Sequence, residues 1–340
     1  MANFTASNLV KAQALLNQDF QSPEMRPALA PILALGRRNS EILIPGHRVL
    51  RTREDRPIEA YIIKRNLRST TGVGRTHDHT GVLGDSIAAD LAWTSFTDKF
   101  QFSLKWLDNN VFEANRVLAN QFAQAFQNIR MDAETFLADF LTSEKTGVNR
   151  ATKNGYFNTT TNAFEIASTT EKGLFFEDAK SMMRQNHYQG MYDFVADPKL
   201  FRDANFYANQ GTANAYNTMF QFAGMTLVES ITLSDDNYTD GLGLVLPANT
   251  FGVLDWIPRQ NRAGEGDYNT YVGGFGSMVD PVSGLNMAVH GYSQRADTSA
   301  SNGNAQDVVI EFEVSIDISP NLAPLSAADE TVVFEVVQSV

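Results

Sequence analysis

The chain has 340 residues, 43% of them hydrophobic and 19% charged, enough apolar material for one large core or two smaller ones. With no cysteine it carries no disulfide and no thiolate metal site. Its net charge of −12 argues against a general nucleic-acid coat, because phosphate neutralisation needs clustered Lys and Arg.

Residues 4–20 place Leu9, Val10, Ala12, Leu15 and Leu16 at helical spacing, in a helix too short to hold itself together in water and therefore docked on something. Met1 leads into it without a basic start, and no stretch approaches 18 apolar residues, so neither a signal peptide nor a membrane span is expected, and the site of synthesis, the cytoplasm, is the expected site of action. Pro23, Pro27 and Pro31 then predict an extended arm up to Gly36 that belongs to a partner.

From Ile42 to Trp106 the period turns to that of strands. Ile58, Ala60 and Ile62 alternate with Glu59 and Tyr61, a turn-rich tip runs from Leu67 to Gly84, and Ile87, Ala89, Leu91 and Trp93 alternate again, a long hairpin. Apolar positions change phase after Trp93, to Phe96, Phe100, Phe102, Leu104 and Trp106, which predicts a bulge or bend near Thr94 or Ser95, with a matching break at Pro57. A two-stranded ribbon showing Ile58, Ile62, Leu91, Trp93 and Phe96 to water would be marginally stable, so it is expected to lie on a neighbouring copy. Charge points the same way. Residues 26–75 hold eleven Lys or Arg against four acidic residues, a local +7 that leaves −19 on the rest. Arg37, Arg38, Arg48, Arg51, Arg53, Arg65, Arg68 and Arg75 are therefore candidate contacts to the acidic body of another copy, the plain alternative being a solvated basic loop.

Asn110 to about Lys145 reads as one long helix, with Leu118, Phe122, Phe126, Ile129, Ala133, Phe136 or Leu137, and Phe140 or Leu141 on one stripe. Asn110 and Glu113 fit a capping box and Gly147 a stop. No seven-residue repeat persists, so the helix is expected to pack on a sheet of its own domain rather than in a coiled coil. Tyr156–Ile166 resembles a small hairpin, Phe175–Gln185 a helix, Met191–Ala196 a buried strand, and Asp197-Pro198 the opening of another helix. This alternation suits an α/β unit. Strand candidates follow at 220–222 with 226–228, 242–246 and 250–256, then a Gly-rich loop from Gly264 to Gly276. Val308, Ile310, Phe312, Val314, Ile316 and Ile318 alternate with polar residues in an unusually long strand, and Thr331–Val337 ends the chain as another. These strands are the expected cover for the long helix.

The search for chemistry yields little. His77-Asp78-His79 sets two imidazoles on one side of an extended segment, but two ligands do not make a metal site, and a polar loop is the better reading. Gly72-Val73-Gly74 lacks the ending of a phosphate loop, and Asp235, Asp236, Asn237 and Asp240 miss EF-hand spacing, leaving a turn. There is no Gly-x-Ser-x-Gly elbow and no His-Glu-x-x-His. No catalytic residue, cofactor or metal is assigned.

The order of arm, hairpin, long helix, α/β unit and long C-terminal strands resembles the major capsid protein of tailed bacteriophages, the Hong Kong 97-type shell fold of the α+β class. So do the strings Leu104-Lys105-Trp106-Leu107-Asp108-Asn109-Asn110, Phe251-Gly252-Val253-Leu254-Asp255-Trp256 with Asn261-Arg262, and Asp280-Pro281 leading to Gln306-Asp307-Val308-Val309-Ile310. The resemblance implies residues 1–41 as N-terminal arm, 42–107 as extended loop, 108–200 and 290–340 as peripheral domain, and 201–289 as axial domain. It also implies a virion protein, assembled in the host bacterial cytoplasm into hexamers and pentamers of an icosahedral shell. That shell encloses double-stranded DNA without sequence-specific binding. The implied partners are a portal, a separate scaffold and decoration proteins; no membrane is involved and no N-terminal cleavage is expected. Some members of this family join a hairpin lysine to a neighbour's asparagine with a glutamate as catalyst. Lys64 is a candidate for the hairpin lysine here, but nothing in the sequence identifies its partners, so no cross-link is assigned. The alternatives are an encapsulin-like compartment for protein cargo and, from another class, a hydrolase acting on an extended polymer.

Overall fold

The computed structural model describes residues 6–19, 30–63, 86–103, 114–150, 156–167, 174–208, 219–222, 224–238, 240–262, 274–297, 306–325 and 330–339. The Leu67–Gly84 tip, Lys64, Arg65, Arg68, Arg75, His77, His79, the Asn110/Glu113 cap and the Leu104–Asn110 string lie outside them.

The first helix, α1 (Ala6–Asp19), buries Ala12 and Leu16 in the main core. Pro31 does not prolong an extended arm, as expected, but opens a second helix, α2 (Pro31–Leu43). Proline at a first helical position loses no hydrogen bond, since that N–H has no partner in any helix, and its fixed φ suits the turn. The segment also belongs to its own chain: Ile32, Leu33, Leu35, Gly36, Asn39, Ser40 and Leu43 are all buried. A Cβ on Gly36 would run into the side chains of Phe251 and Val253, so glycine sets how closely α2 approaches that strand. Gly36→Ala is expected to lower stability by roughly 1–3 kcal/mol through overpacking, read as a lower midpoint of urea unfolding. The helical stretch continues into α3 (His47–Arg51), where strand had been expected from Ile42.

The hairpin is present, and among the described residues its pairing begins at Glu59 with Asp90. β1 (Glu59–Ile63) pairs antiparallel with β2 (Ser86–Asp90), in register from Glu59 with Asp90 to Ile63 with Ser86. The predicted bend falls at residues 91–93, where the chain changes sheets. Leu91 N still donates to Ile58 O (2.7 Å) and Trp93 Nε1 to Pro57 O (2.6 Å), then β3 (Thr94–Ser103) pairs with the long C-terminal strand. Residues 94–103 are thus part of the main sheet and not of an outgoing loop.

The long helix α4 spans Ala114–Ser143, 30 residues, about 45 Å at 1.5 Å per residue. Leu118, Phe122, Phe126, Ile129, Ala133, Leu137 and Leu141 are buried as the stripe predicts, with Phe136 and Phe140 half-buried beside them. Next in the chain come β4 (Phe157–Asn158), β5 (Ala163–Ala167), α5 (Phe175–Gln185), β6 (Tyr192–Ala196), α6 (Pro198–Ala208), β7 (Met219–Phe222), β8 (Met225–Glu229) and β9 (Leu242–Pro247). With the last strand they form a seven-stranded mixed sheet, which packs Phe164, Phe194 and Leu227 against Phe176, Met183 and Phe201 of its two helices. Asp197 caps α6, accepting from Leu200 N at 2.8 Å.

β10 (Phe251–Trp256), β11 (Gly274–Val279), β12 (Asn286–Asp297) and the 17-residue β13 (Gln306–Leu322) join β3 in a second sheet. β12 runs along residues 306–315 of β13 and β10 along 317–322. Asp317 pairs with both Trp256 and Ser95, so β3 takes the opposite edge. This sheet covers α4: Phe122 meets Phe100 edge-on with ring centres 5.0 Å apart and Phe312 at 5.4 Å. β12 was not foreseen, and Gly274 and Gly276 belong to β11 rather than to a loop. β14 (Phe334–Ser339) closes the chain in the seven-stranded sheet, parallel to β5 and antiparallel to β9.

Two of the implied domain boundaries do not follow the sheets. The one at 200/201 cuts α6 and separates β6 from its partners β8 and β9, and the one at 289/290 falls inside β12.

Candidate assembly surfaces

The inner face of the ribbon is covered from within the chain. Ala60, Ile62 and Leu91 are buried with Leu43 and Ile44 at the end of α2 and Leu254 of β10. Trp93 packs at the margin of that cluster and Phe96 meets Phe136 of α4 at 5.6 Å. Ile62, Leu91, Trp93 and Phe96 were expected on a neighbour; the structure instead uses them to fasten the ribbon's root to its own subunit. The sequence showed that these side chains need cover but not that α2, read as an arm, supplies it. The outer face is different. Tyr61 and Ile63 are 64% and 75% exposed, Ile58 at the root is 76% exposed, and Ala88 lies exposed opposite Tyr61.

The basic stretch also meets acidic groups of its own chain. Arg51 pairs with Asp255 and Arg37 reaches the same carboxylate at 3.8 Å, while Arg37 Nη1 donates to Ser283 O at 2.6 Å. Burial holds Arg37 below its ordinary range despite Asp255. Arg38 and Asn39 both reach the buried Asp193, at 3.3 and 2.8 Å, though burial still raises that carboxyl. Arg48 donates to Glu41 at 2.8 Å, and this bond lowers the Glu41 pKa. Arg56 faces Asp317. Arg53 is exposed, and its carbonyl accepts from Trp256 Nε1 and Arg262. Arg37 and Arg51 therefore tie α2 and α3 to Asp255 of β10, and Arg38 ties α2 to Asp193 of β6; these pairs lie within one chain and leave the expected contacts between copies a proposal.

A cleft of about 470 Å³ opens among Glu41, His47, Arg51, Asp255, Trp256 and Arg262. Burial lowers the His47 pKa, helped by Arg51 and Arg48 against the pull of Glu41 and Asp255. Of the charged groups that line this cleft, Arg48 pairs with Glu41 and Arg51 with Asp255, while Arg262 donates to the carbonyls of Thr52, Arg53 and Ile257. Among the described residues no group of three or more His, Asp or Glu could hold a metal ion, and no described helix is long and apolar enough to cross a membrane. Asp235 begins a turn in which Asn237 N donates to its carboxylate at 2.8 Å.

No protein-family model matches the chain, and no curated protein matches it. Solved structures do. The chain is similar to a structure from Mycobacterium phage Bobi, at 11% identity over 94% of each chain and a TM-score of 0.47. It is similar to the capsid structure of the cyanophage P-SCSP1u, at 15% identity over 82% of each chain and a TM-score of 0.42. It is also similar to the asymmetric unit of the mature capsid of bacteriophage PhiM1, at 12% identity over 84% of this chain and 83% of that one, with a TM-score of 0.40.

Proposed function

We propose that the chain is the major subunit of an icosahedral shell of the Hong Kong 97 type, which assembles from copies of itself and encloses phage DNA. The observation that carries this reading is the ribbon. Its inner face is fixed to α2 and β10, while its outer face holds Tyr61, Ile63 and Ala88 in the open. Tyr61, Ile63 and Ala88 share that face with the exposed Glu59 and Asp90, and its apolar part is an aggregation hazard unless another surface covers it. A closed symmetric assembly supplies that cover from a second copy, each giving and receiving the same contact. The acidity of the chain suits a container, since strong attachment to packaged DNA would need clustered cations. As a shell subunit the protein acts by binding its own copies, with portal, scaffold and decoration proteins as further partners.

Purified wild-type protein is expected to form closed particles in negative-stain images. Tyr61→Lys with Ile63→Lys is expected to leave a folded, soluble subunit that no longer forms them, because both side chains are exposed in the subunit. Particles of normal yield from the double variant would remove the ribbon from the interface. A wild-type protein that stays monomeric at all concentrations and salts would remove the shell reading itself. Particles filled with one other protein instead of DNA would favour a cargo compartment.

A further inference from the structure

The outer face of the ribbon carries a charge conflict that its own chain leaves standing. Glu59 and Asp90 are partners in the register of β1 and β2, both exposed and on one side with Tyr61, Ile63 and Ala88. Residues directly opposite in an antiparallel pair hold their Cβ atoms about 5 Å apart, and like charges there work against the pairing. Among the described residues no Lys or Arg pairs with either carboxylate, and Arg56, the basic residue closest to Glu59 in sequence, faces Asp317 instead.

A complementary surface stands at the end of α3. Val49 is 64% exposed, and Arg53 follows four positions on, where Thr52 N donates to Val49 O (3.2 Å) and Arg53 N to Leu50 O (3.4 Å), so the chain is still turning. Residues at that spacing share one side of a helical turn. The backbone under Arg53 is fixed, since its carbonyl accepts from Trp256 Nε1 at 3.2 Å and from Arg262 Nη2 at 2.6 Å. Its guanidinium is exposed and takes part in no ion pair among the described residues. Arg48, whose side chain is 78% exposed, adds positive charge on the same short helix while donating to Glu41. One surface is thus apolar with two carboxylates, and the other is apolar with a held cation.

We propose that the ribbon of one copy lays its outer face on the α3 corner of the next, with Val49 against Tyr61 and Ile63 and the Arg53 guanidinium between the carboxylates of Glu59 and Asp90. This rests on the shell reading above and names the surface that receives the ribbon. A second copy is the occupant because it brings both halves of the match, an exposed apolar side chain and a cation at the same corner. A planar guanidinium can donate to two carboxylates at once, and a backbone already held in place has less freedom to lose on docking. The two surfaces are different parts of one chain, so the contact runs head to tail, each copy giving a ribbon and receiving one, which is the type of contact that closes rings. The inner face of the ribbon stays on its own Leu43, Ile44 and Leu254, so the ribbon becomes a layer between two copies. The repulsion between Glu59 and Asp90 is then relieved on assembly, which ties the order of the ribbon root to the presence of a neighbour.

Charge reversal with rescue tests this on the full-length chain, with closed particles counted in negative-stain images and free subunit followed by gel filtration. Arg53→Glu alone, and Glu59→Arg with Asp90→Arg, are each expected to cut the particle yield by roughly tenfold or more. Both should leave a soluble subunit that unfolds cooperatively. All three substitutions together put opposite charges back across the contact and are expected to bring particles back. Should the triple variant fail to fold, Arg53→Lys decides: a carbodiimide applied to particles of mixed isotope-labelled and unlabelled chains should couple the introduced amine to Glu59 or Asp90 of another chain. Normal yield from either reversal, no recovery in a folded triple variant, or coupling confined to one chain overturns this pairing, and wild-type particles then leave the shell reading standing. A wild type that forms no particles removes both.

Discussion

Asp280→Ala is expected to destabilise the subunit by about 3–5 kcal/mol, because it leaves a buried guanidinium without its carboxylate. Arg130 lies on the inward side of α4 and pairs with Asp280 at the end of β11, both side chains being 1% exposed. The same carboxylate orders the turn into β12: Oδ1 accepts from Val282 N at 3.2 Å, and Oδ2 from Ser283 N at 3.1 Å and from the Ser283 hydroxyl. The turn in turn positions Val279, which exchanges two hydrogen bonds with the Gln13 side chain of α1 at 2.9 and 3.0 Å. One substitution therefore removes a charge partner and loosens two elements packed on the long helix. Urea unfolding should show a much lower midpoint with an unchanged slope, the mark of lost stability without a change in exposed surface. Asp280→Asn, which keeps acceptors for the turn, should lose less. A loss below about 1 kcal/mol for Asp280→Ala would place the pair among the weak surface bridges.

The elements that sequence revealed share one property: their pattern is set by a single face. The stripe of α4, the alternation of β13 and the run of buried residues in β6 are each visible within one segment, because burial on one side imposes a period. α2 failed that test. Its prolines are the local sign of an arm, and only the position of Pro31 at the first helical turn reconciles them with a helix. β12 escaped notice because small and polar residues, Ala288, Gly291 and Ser293, dilute its alternation, and its pairing with β13 is fixed by the partner. The basic stretch was only partly legible for a related reason. Charge totals show an imbalance but not which carboxylate each arginine will meet, and Asp255 and Asp193 are brought to α2 only by the folded sheets. The salt bridges of Lys145 with Asp235 and Glu335 had no signal at all, since their members come from three separate segments and form no motif.

Replacing Glu134 by Gln is expected to remove a pH dependence of stability between about pH 4.5 and 8. Glu134 projects inward from α4, is 2% exposed, and accepts from Ile32 N at 3.0 Å and Leu33 N at 3.2 Å. It serves as the cap that Ala30 cannot provide for α2. Burial raises its pKa from 4.5 to about 7, against the opposite pull of those two backbone donors. A carboxyl whose folded pKa lies above its unfolded one binds its proton more tightly in the native state. Its stabilising contribution is therefore complete below the unfolded value of 4.5 and is lost as pH rises through about 7. At 1.36 kcal/mol per unit the whole effect is about 3 kcal/mol. Asp193 and Glu335 are also raised by burial and act in the same direction, whereas Asp235 and Glu41, lowered by their partners, act only at more acid pH. The difference between wild type and Glu134→Gln cancels those common contributions. Glutamine can still accept one backbone N–H with its carbonyl oxygen, so the variant should fold and lose only the titration. Urea midpoints at pH 5 and pH 8 should then fall with rising pH more steeply in the wild type than in the variant. Equal slopes in the two proteins would mean that Glu134 does not hold its proton in the folded state. Because α2 carries Leu43 and Ile44 under the ribbon, the same carboxyl links the charge state inside α4 to the seating of the surface proposed for assembly.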